Sequence, residues 1–195
     1  MTKNIMIVGV GGQGTLLASK LLGHVLLKQG YDVKVSEVHG MSQRGGSVVT
    51  YVRYGEKVFS PVIDRGEADI IVSFEKLEAA RWLEYLKPQG LIIANTQEVE
   101  PMPVVTGAAV YPGELLEKMQ KAGARVDGGD FLAAAREAGS EKAVNIALMG
   151  RLSGYFPEIT REDWREAVAE VVPARFRELN LRAFELGRSI NLTEK

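Results

Sequence analysis

Two stretches of this chain hold residue types whose spacing suits chemistry. The first is Gly9-Val10-Gly11-Gly12-Gln13-Gly14, which follows the apolar run Ile5-Met6-Ile7-Val8 and opens into Thr15-Leu16-Leu17-Ala18-Ser19-Lys20-Leu21-Leu22. That order reads as a buried strand, a glycine turn and a helix. Gly9 permits a sharp exit from the strand, Gly11 lets backbone N–H groups approach an anion, and Gly14 lets the helix pack close to the sheet. The helix N-terminus adds free N–H donors and a partial positive charge. A negatively charged group over residues 9–14 is therefore the expected ligand. The plainer alternative is a tight connection that binds nothing.

The second stretch is His39-Gly40-Met41-Ser42-Gln43-Arg44-Gly45-Gly46-Ser47. Arg44 presents a rigid fork of donors for carboxylate or phosphate, with a surface ion pair as its ordinary alternative. Gly45 and Gly46 let the backbone come close and form an anion-binding nest. Ser42, Gln43 and Ser47 add hydrogen-bonding groups. His39 is the one candidate for proton transfer near neutral pH, and satisfying a backbone carbonyl is its other role. Loops after the carboxyl ends of strands share one edge of an open α/β sheet, so residues 9–14 and 39–47 are expected to meet across one crevice.

Other chemistries find little support. Glu37 stands about 20 residues beyond the turn, roughly where a dinucleotide site places the acid that holds a ribose. The residues after Glu37 are not those of a usual dehydrogenase. Gly14 is not followed by Lys-Ser or Lys-Thr, so there is no P-loop, and no HExxH metal pattern occurs. Two histidines without a nucleophile motif support no Ser-His-Asp arrangement.

The elements that must position these stretches follow from periodicity. Ile5–Val10 reads as a strand buried on both faces, and the helix from Gly14 ends near Gln29 with Gly30 as a left-handed cap. Strands are expected at 33–35, 48–54, 69–74 and 91–94, with shorter ones at 58–61 and 104–106. Two neighbouring strands without a helix between them point to a mixed sheet. Helices are expected at 75–86, from Pro112 to 121, and from 131 to 138, after a turn at 127–130. From Ser140 onward the pattern is helical. Ser140 caps one helix, Thr160 with Asp163 forms an acidic variant of a capping box, and Pro173 starts or kinks the last helix. The fold class is α/β: a Rossmann-like three-layer sandwich with a mostly parallel sheet, one or more antiparallel edge strands, and C-terminal helices. One domain is expected over 1–195, with the α/β core over about 1–125 and a helical part over about 126–195.

Composition narrows the function classes. The chain has 195 residues, 46% hydrophobic and 25% charged, and a formal net charge of -1, which gives no broad nucleic-acid footprint. It has no cysteine, hence no disulfide, no thiolate metal site and no thiolates for an iron–sulfur cluster. No metal site is expected. No apolar run approaches the roughly 20 residues that span a bilayer, and no signal-peptide pattern is seen. A cytoplasmic protein is expected.

Taken together, Val8-Gly9-Val10-Gly11-Gly12-Gln13-Gly14 and Ser36-Glu37-Val38-His39-Gly40-Met41-Ser42-Gln43-Arg44-Gly45-Gly46-Ser47 resemble the gamma-type domain of 2-oxoacid (pyruvate):ferredoxin oxidoreductases. The likeness extends to Asn145 and to Leu179-Asn180-Leu181-Arg182-Ala183-Phe184, over nearly the whole chain. Pyruvate and 2-oxoglutarate members tend to carry a Tyr-Gly-Pro-type segment ahead of Arg-Gly-Gly. His39-Gly40-Met41-Ser42-Gln43 in that place favours the aryl-pyruvate branch, closest to the small beta subunit type of indolepyruvate:ferredoxin oxidoreductase.

The resemblance implies oxidative decarboxylation of a 2-oxoacid on thiamine diphosphate, with Fe4S4 clusters passing electrons to ferredoxin and coenzyme A taking the acyl group. It implies that a larger catalytic alpha subunit carries those cofactors, because this chain lacks both cysteines and the family's Gly-Asp-Gly thiamine-diphosphate motif. Asp127-Gly128-Gly129-Asp130 is only an echo of that motif. This chain is then a subunit with no catalytic residue of its own, completing the complex. The residues implied for coenzyme A or another anionic group are Gly9, Gly11, Gly12, Gln13, Gly14, Ser42, Gln43, Arg44, Gly45 and Gly46. Neither nucleic acid nor membrane is among the implied partners, and a homodimer of the isolated chain stays open. Two other readings stand beside this one: a free-standing NAD(P)-binding oxidoreductase using the glycine turn and Glu37, and an assembly module without a ligand.

Overall fold

A computed structural model describes residues 2–39 and 45–190. Strand β1 (Lys3–Val10) is buried almost throughout, and its alternation sorts two cores. Ile5 and Ile7 enter one core, and Met6 and Val8 enter the other. This follows from the period of two along a strand covered on both faces. The glycine turn then leads into helix α1 (Thr15–Lys28), which buries Ala18, Leu21, Leu22, Val25 and Leu26.

Strands β2 (Asp32–His39) and β3 (Ser47–Gly55) pair antiparallel, and β3 also runs antiparallel to β1. Strands β4 (Ala68–Ser73), β5 (Leu86–Asn95) and β6 (Arg125–Gly129) extend the other side in parallel. The six strands lie in the order β2-β3-β1-β4-β5-β6. The expected mixed α/β sheet is present, with its antiparallel pairings gathered at one end.

One face is covered by α2 (Lys76–Arg81) and α4 (Leu115–Lys121). The other carries α1 and a C-terminal group: α5 (Phe131–Ala138), α6 (Val144–Ser153), α7 (Arg161–Val171) and α8 (Arg177–Ser189). Helix α6 is apolar nearly all round and lies inside this layer, so the C-terminal helices pack on the sheet itself. Glycine makes that possible. A Cβ on Gly187 would fall 2.0 Å from the Ala147 carbonyl oxygen, and one on Gly150 would fall 2.1 Å from that of Phe184.

Several local expectations are corrected. Residues 104 and 105 belong to a four-residue helix, α3 (Met102–Val105), with Thr106 as its C-cap, because Pro101 and Pro103 set a helical start that outweighs the β-branched Val-Val-Thr. The turn expected at 127–130 is strand β6, with Asp130 capping α5 by accepting from the Ala133 N–H at 2.8 Å. Its glycines sit beneath packed side chains: a Cβ on Gly128 would meet Leu116 at 2.8 Å, and one on Gly129 would meet Ile190 at 2.6 Å. Residues 58–61 form no strand, and the Val58 N–H goes instead to Asp32 at 2.8 Å. The helix expected at 75–86 stops at Arg81, and a 3-10 turn over Leu83–Tyr85 leads directly into β5. Strand β5 is longer than the expected 91–94 and includes Pro88, where its pairing with β4 is irregular. Ser140 caps a 3-10 turn that precedes α6, whereas Thr160 and Asp163 form the expected capping box.

Candidate functional site: a glycine cleft at the carboxyl edge of the sheet

Strands β1, β4, β5 and β6 end on one rim, and the start of β3 reaches the same rim, with Ser47 opposite Val10. The two glycine stretches do meet there. The Gly11 N–H donates to the Gly46 carbonyl at 2.8 Å, and the Gly45 N–H donates to the Gly11 carbonyl at 3.4 Å. Gly11 is expected to let backbone N–H groups approach an anion, and its own N–H is used inside the chain. Its contribution is to join the turn to the hairpin.

Gln13 is likewise turned inward. Its Oε1 accepts from the Val10 N–H at 2.7 Å, and its Nε2 donates to the Phe74 carbonyl and to Gln97 Oε1, each at 3.4 Å. Gly9 leaves room for this, since a Cβ there would lie 2.9 Å from Gln13 Oε1. Gly14 caps α1 with φ 89, and a Cβ on it would lie 2.6 Å from Asn145 Nδ2. Asn145 in turn donates to the Gly14 carbonyl at 3.3 Å. Gly12 has φ 102 with open space above it.

Above Gly12, Gln13 and Gly14 lies a cleft of about 350 Å³, walled by Gln97, Leu132, Lys142 and Val144. Leu132 is in the first turn of α5, and Lys142 and Val144 belong to the start of α6 and the 3-10 turn before it. The first turns of α1, α5 and α6 thus converge on one space, beside the ammonium-bearing Lys142. Partial positive charge from several helix starts, together with the Lys142 ammonium, suits an anionic group. Glu141 also lines the cleft, but its carboxylate is held by Arg136 at 2.7 Å.

A second polar cluster lies on the same rim, and the sequence reading missed it. Glu75, almost fully buried, caps α2: its carboxylate accepts from the Glu78 N–H at 2.9 Å, from the Val99 N–H at 3.2 Å, and from the Tyr111 hydroxyl. Burial and the neighbouring Glu75 push the Tyr111 hydroxyl far above its ordinary range. Glu78, also buried, accepts from the Ser47 hydroxyl and pairs with Arg81 at 3.0 Å. Burial pushes its carboxyl up from the ordinary 4.5. The available signal was Glu75-Lys76-Leu77-Glu78 directly after an apolar strand, the spacing of a cap and the third residue of a helix.

Ser42, Gln43 and Arg44 lie outside the described residues, as does the side chain of His39. Glu37 accepts from Ser19 Oγ at 3.3 Å on the α1 side. Because β3 separates β2 from β1, Glu37 stands two strands away from the turn, about 10 Å at the usual strand spacing. A dinucleotide site keeps those two strands adjacent, so this placement counts against the nicotinamide reading.

The sequence matches the model of the pyruvate ferredoxin/flavodoxin oxidoreductase family over residues 4–190. The chain belongs to that family. It is 46% identical over 191 residues to the indolepyruvate oxidoreductase subunit IorB of Thermococcus kodakarensis, covering 94% of this chain and 93% of that protein. To the pyruvate/ketoisovalerate oxidoreductases common subunit gamma of the same organism it is 25% identical, covering 91% and 90%. The fold is shared with a crystal structure of a pyruvate oxidoreductase subunit from Thermotoga maritima, at TM-score 0.74, 19% identity and 96% coverage of both chains.

This chain holds no thiolate ligands for an iron–sulfur cluster. It has no cysteine, and no group of three or more metal-ligating side chains occurs among the described residues. No helix among them is long and apolar enough to cross a membrane.

Proposed function

We propose that this chain is the small subunit of an indolepyruvate-type 2-oxoacid:ferredoxin oxidoreductase. One observation carries the reading: near full-length identity of 46% to an indolepyruvate oxidoreductase subunit, against 25% to the gamma subunit common to pyruvate and ketoisovalerate enzymes. The reaction converts an aryl pyruvate to its acyl-coenzyme A with electrons leaving to ferredoxin. A larger alpha subunit carries thiamine diphosphate and the Fe4S4 clusters, and this chain completes the complex in the cytoplasm.

Its own chemical contribution, on this proposal, is the glycine cleft. The cleft takes an anionic group, and a phosphate of coenzyme A is the ligand the family chemistry supplies. Gly12, Gly14 and Lys142 face that group, and Gly11 and Gln13 hold the turn in shape; the sequence resemblance assigns Arg44 to the same anion. The assembled complex should favour indolepyruvate and phenylpyruvate over pyruvate in kcat/KM. Lys142→Ala should raise KM for coenzyme A about tenfold, the scale of one charge-assisted hydrogen bond, with KM for the oxoacid unchanged. A preference for pyruvate contradicts the branch assignment. Unchanged coenzyme A kinetics in both Lys142→Ala and Arg44→Ala favours an assembly module without a ligand.

A further inference from the structure

A relay of hydrogen bonds beginning at two backbone N–H groups fixes the side-chain amide of Gln97, a lining residue of the glycine cleft. A backbone N–H only donates, so the amide atom that meets it must be oxygen. The Val10 N–H meets Gln13 at 2.7 Å, and the Phe131 N–H meets the fully buried Asn95 at 3.0 Å. Oε1 of Gln13 and Oδ1 of Asn95 are therefore the acceptors, and their NH2 groups lie on the other branch. Both NH2 groups donate to the Phe74 carbonyl, Asn95 at 3.2 Å and Gln13 at 3.4 Å. Both also meet one atom of Gln97, each at 3.4 Å. Two donors converge on that atom, so it is the oxygen, Oε1. The NH2 group of Gln97 is left outside the relay.

Nothing in the described chain takes those two N–H bonds. Nε2 of Gln97 makes no hydrogen bond among the described residues. The buried side-chain nitrogen without a partner is Nε1 of Trp164, so Nε2 of Gln97 is open to solvent. The backbone around it is held on three sides. The Thr96 N–H donates to the Gly129 carbonyl at 3.0 Å, the Lys76 N–H to the Gln97 carbonyl at 3.2 Å, and the Val99 N–H to Glu75 at 3.2 Å. The same cleft is lined by Lys142, whose ammonium has no carboxylate partner among the described residues.

We propose that Gln97 contacts the ligand of the glycine cleft, donating from Nε2 to an oxygen of its anionic group. The inference rests on the reading of the cleft as the coenzyme A site. With Oε1 occupied by two donors, Gln97 presents N–H groups alone, as Lys142 does. A donor-only pair of this kind selects an ionised phosphate oxygen and offers nothing to a hydroxyl proton. The amide is oriented before the ligand arrives, so little side-chain freedom is lost on binding.

The test compares Gln97→Glu with Gln97→Met in the complex assembled with the large subunit. Kd for coenzyme A is read by calorimetry, beside KM for each substrate and Tm. Glu keeps an oxygen for Gln13 and Asn95 but turns a carboxylate oxygen toward the ligand, whereas Met removes the amide. A residue that only props the glycine turn tolerates Glu better than Met in every readout. A ligand contact inverts the order for coenzyme A alone. Kd is expected to rise about fivefold in Gln97→Met and about fiftyfold in Gln97→Glu, while Tm falls further in Gln97→Met. KM for the oxoacid should stay unchanged in both. Affinity in Gln97→Glu equal to or better than in Gln97→Met overturns the proposal. Lys142→Ala separates the two ways of failing. If it weakens coenzyme A binding and Gln97→Met does not, the role of Gln97 alone is overturned. If neither variant weakens it, the cleft is not the coenzyme A site and the role falls with that reading.

Discussion

The backbone N–H of Gly11 donates to the carbonyl of Gly46 across 2.8 Å, fastening the glycine turn to the hairpin that follows β2. Two stretches far apart in sequence are thereby tied together, and the glycine turn forms one wall of the cleft. A residue's glycine character serves different ends along that wall, and substitutions separate them. Gly12 and Gly14 both have positive φ, but only Gly14 faces Asn145. Gly12→Ala should cost about 1 kcal/mol from backbone strain alone. Gly14→Ala should cost roughly 2–4 kcal/mol by adding a steric clash. Urea denaturation of both, and of Gly14→Ala combined with Asn145→Ala, checks this. Partial recovery in the double variant identifies the clash.

Gln13 is predicted to be structural. Gln13→Met keeps the bulk but leaves the Val10 N–H without its acceptor, a loss of about 1–3 kcal/mol. Gln13→Glu retains an acceptor and forfeits the donation to Phe74 and Gln97. It should therefore lose less, as read from denaturation midpoints at neutral pH.

Glu78 sets a pH dependence of known sign. Burial raises its folded pKa above the ordinary 4.5. Between that ordinary value and the raised one, the unfolded chain has released the proton and the folded chain retains it. Stability from this group is complete below the ordinary value and is lost as pH rises through the folded one. Glu78→Gln can still accept from Ser47, and the Arg81 it releases is half exposed, so little is lost with that pair. The variant should gain Tm relative to the parent as pH rises from 4 toward 7. A Tm difference constant over that range contradicts the assignment.

Helix α6 lies against α8 with backbone nearly touching backbone. Gly187→Ala or Gly150→Ala must push the helices apart, because the nearest atoms are carbonyl oxygens within about 2 Å of the new carbon. Each should cost about 3 kcal/mol or more. Circular dichroism melts test this, and a loss below 1 kcal/mol requires a different packing.

The sequence alone revealed the glycine turn, α1, the central strands and the Thr160–Asp163 box, because each combines a strong period with a local signal. The meeting of residues 9–14 with Gly45 and Gly46 was also legible, from the rule that strand ends share an edge. Strand β6 was not, since Arg-Val-Asp-Gly-Gly owes its glycines to Leu116 and Ile190 packed above it. Gln13 read as a ligand group because no local rule says that its side chain folds back onto Val10. Glu75 and Glu78 were hidden for the opposite reason: charged residues in a helix's first turn usually face water, and here the segments at Ser47, Val99 and Tyr111 bury them.

The most direct test is activity by reconstitution. This chain and the large subunit encoded beside it are prepared separately and together, and indolepyruvate oxidation is followed with coenzyme A and a ferredoxin or viologen dye. A stable complex that is active only when both chains are present is expected. Full activity of the large subunit alone, or no complex between the two, contradicts it.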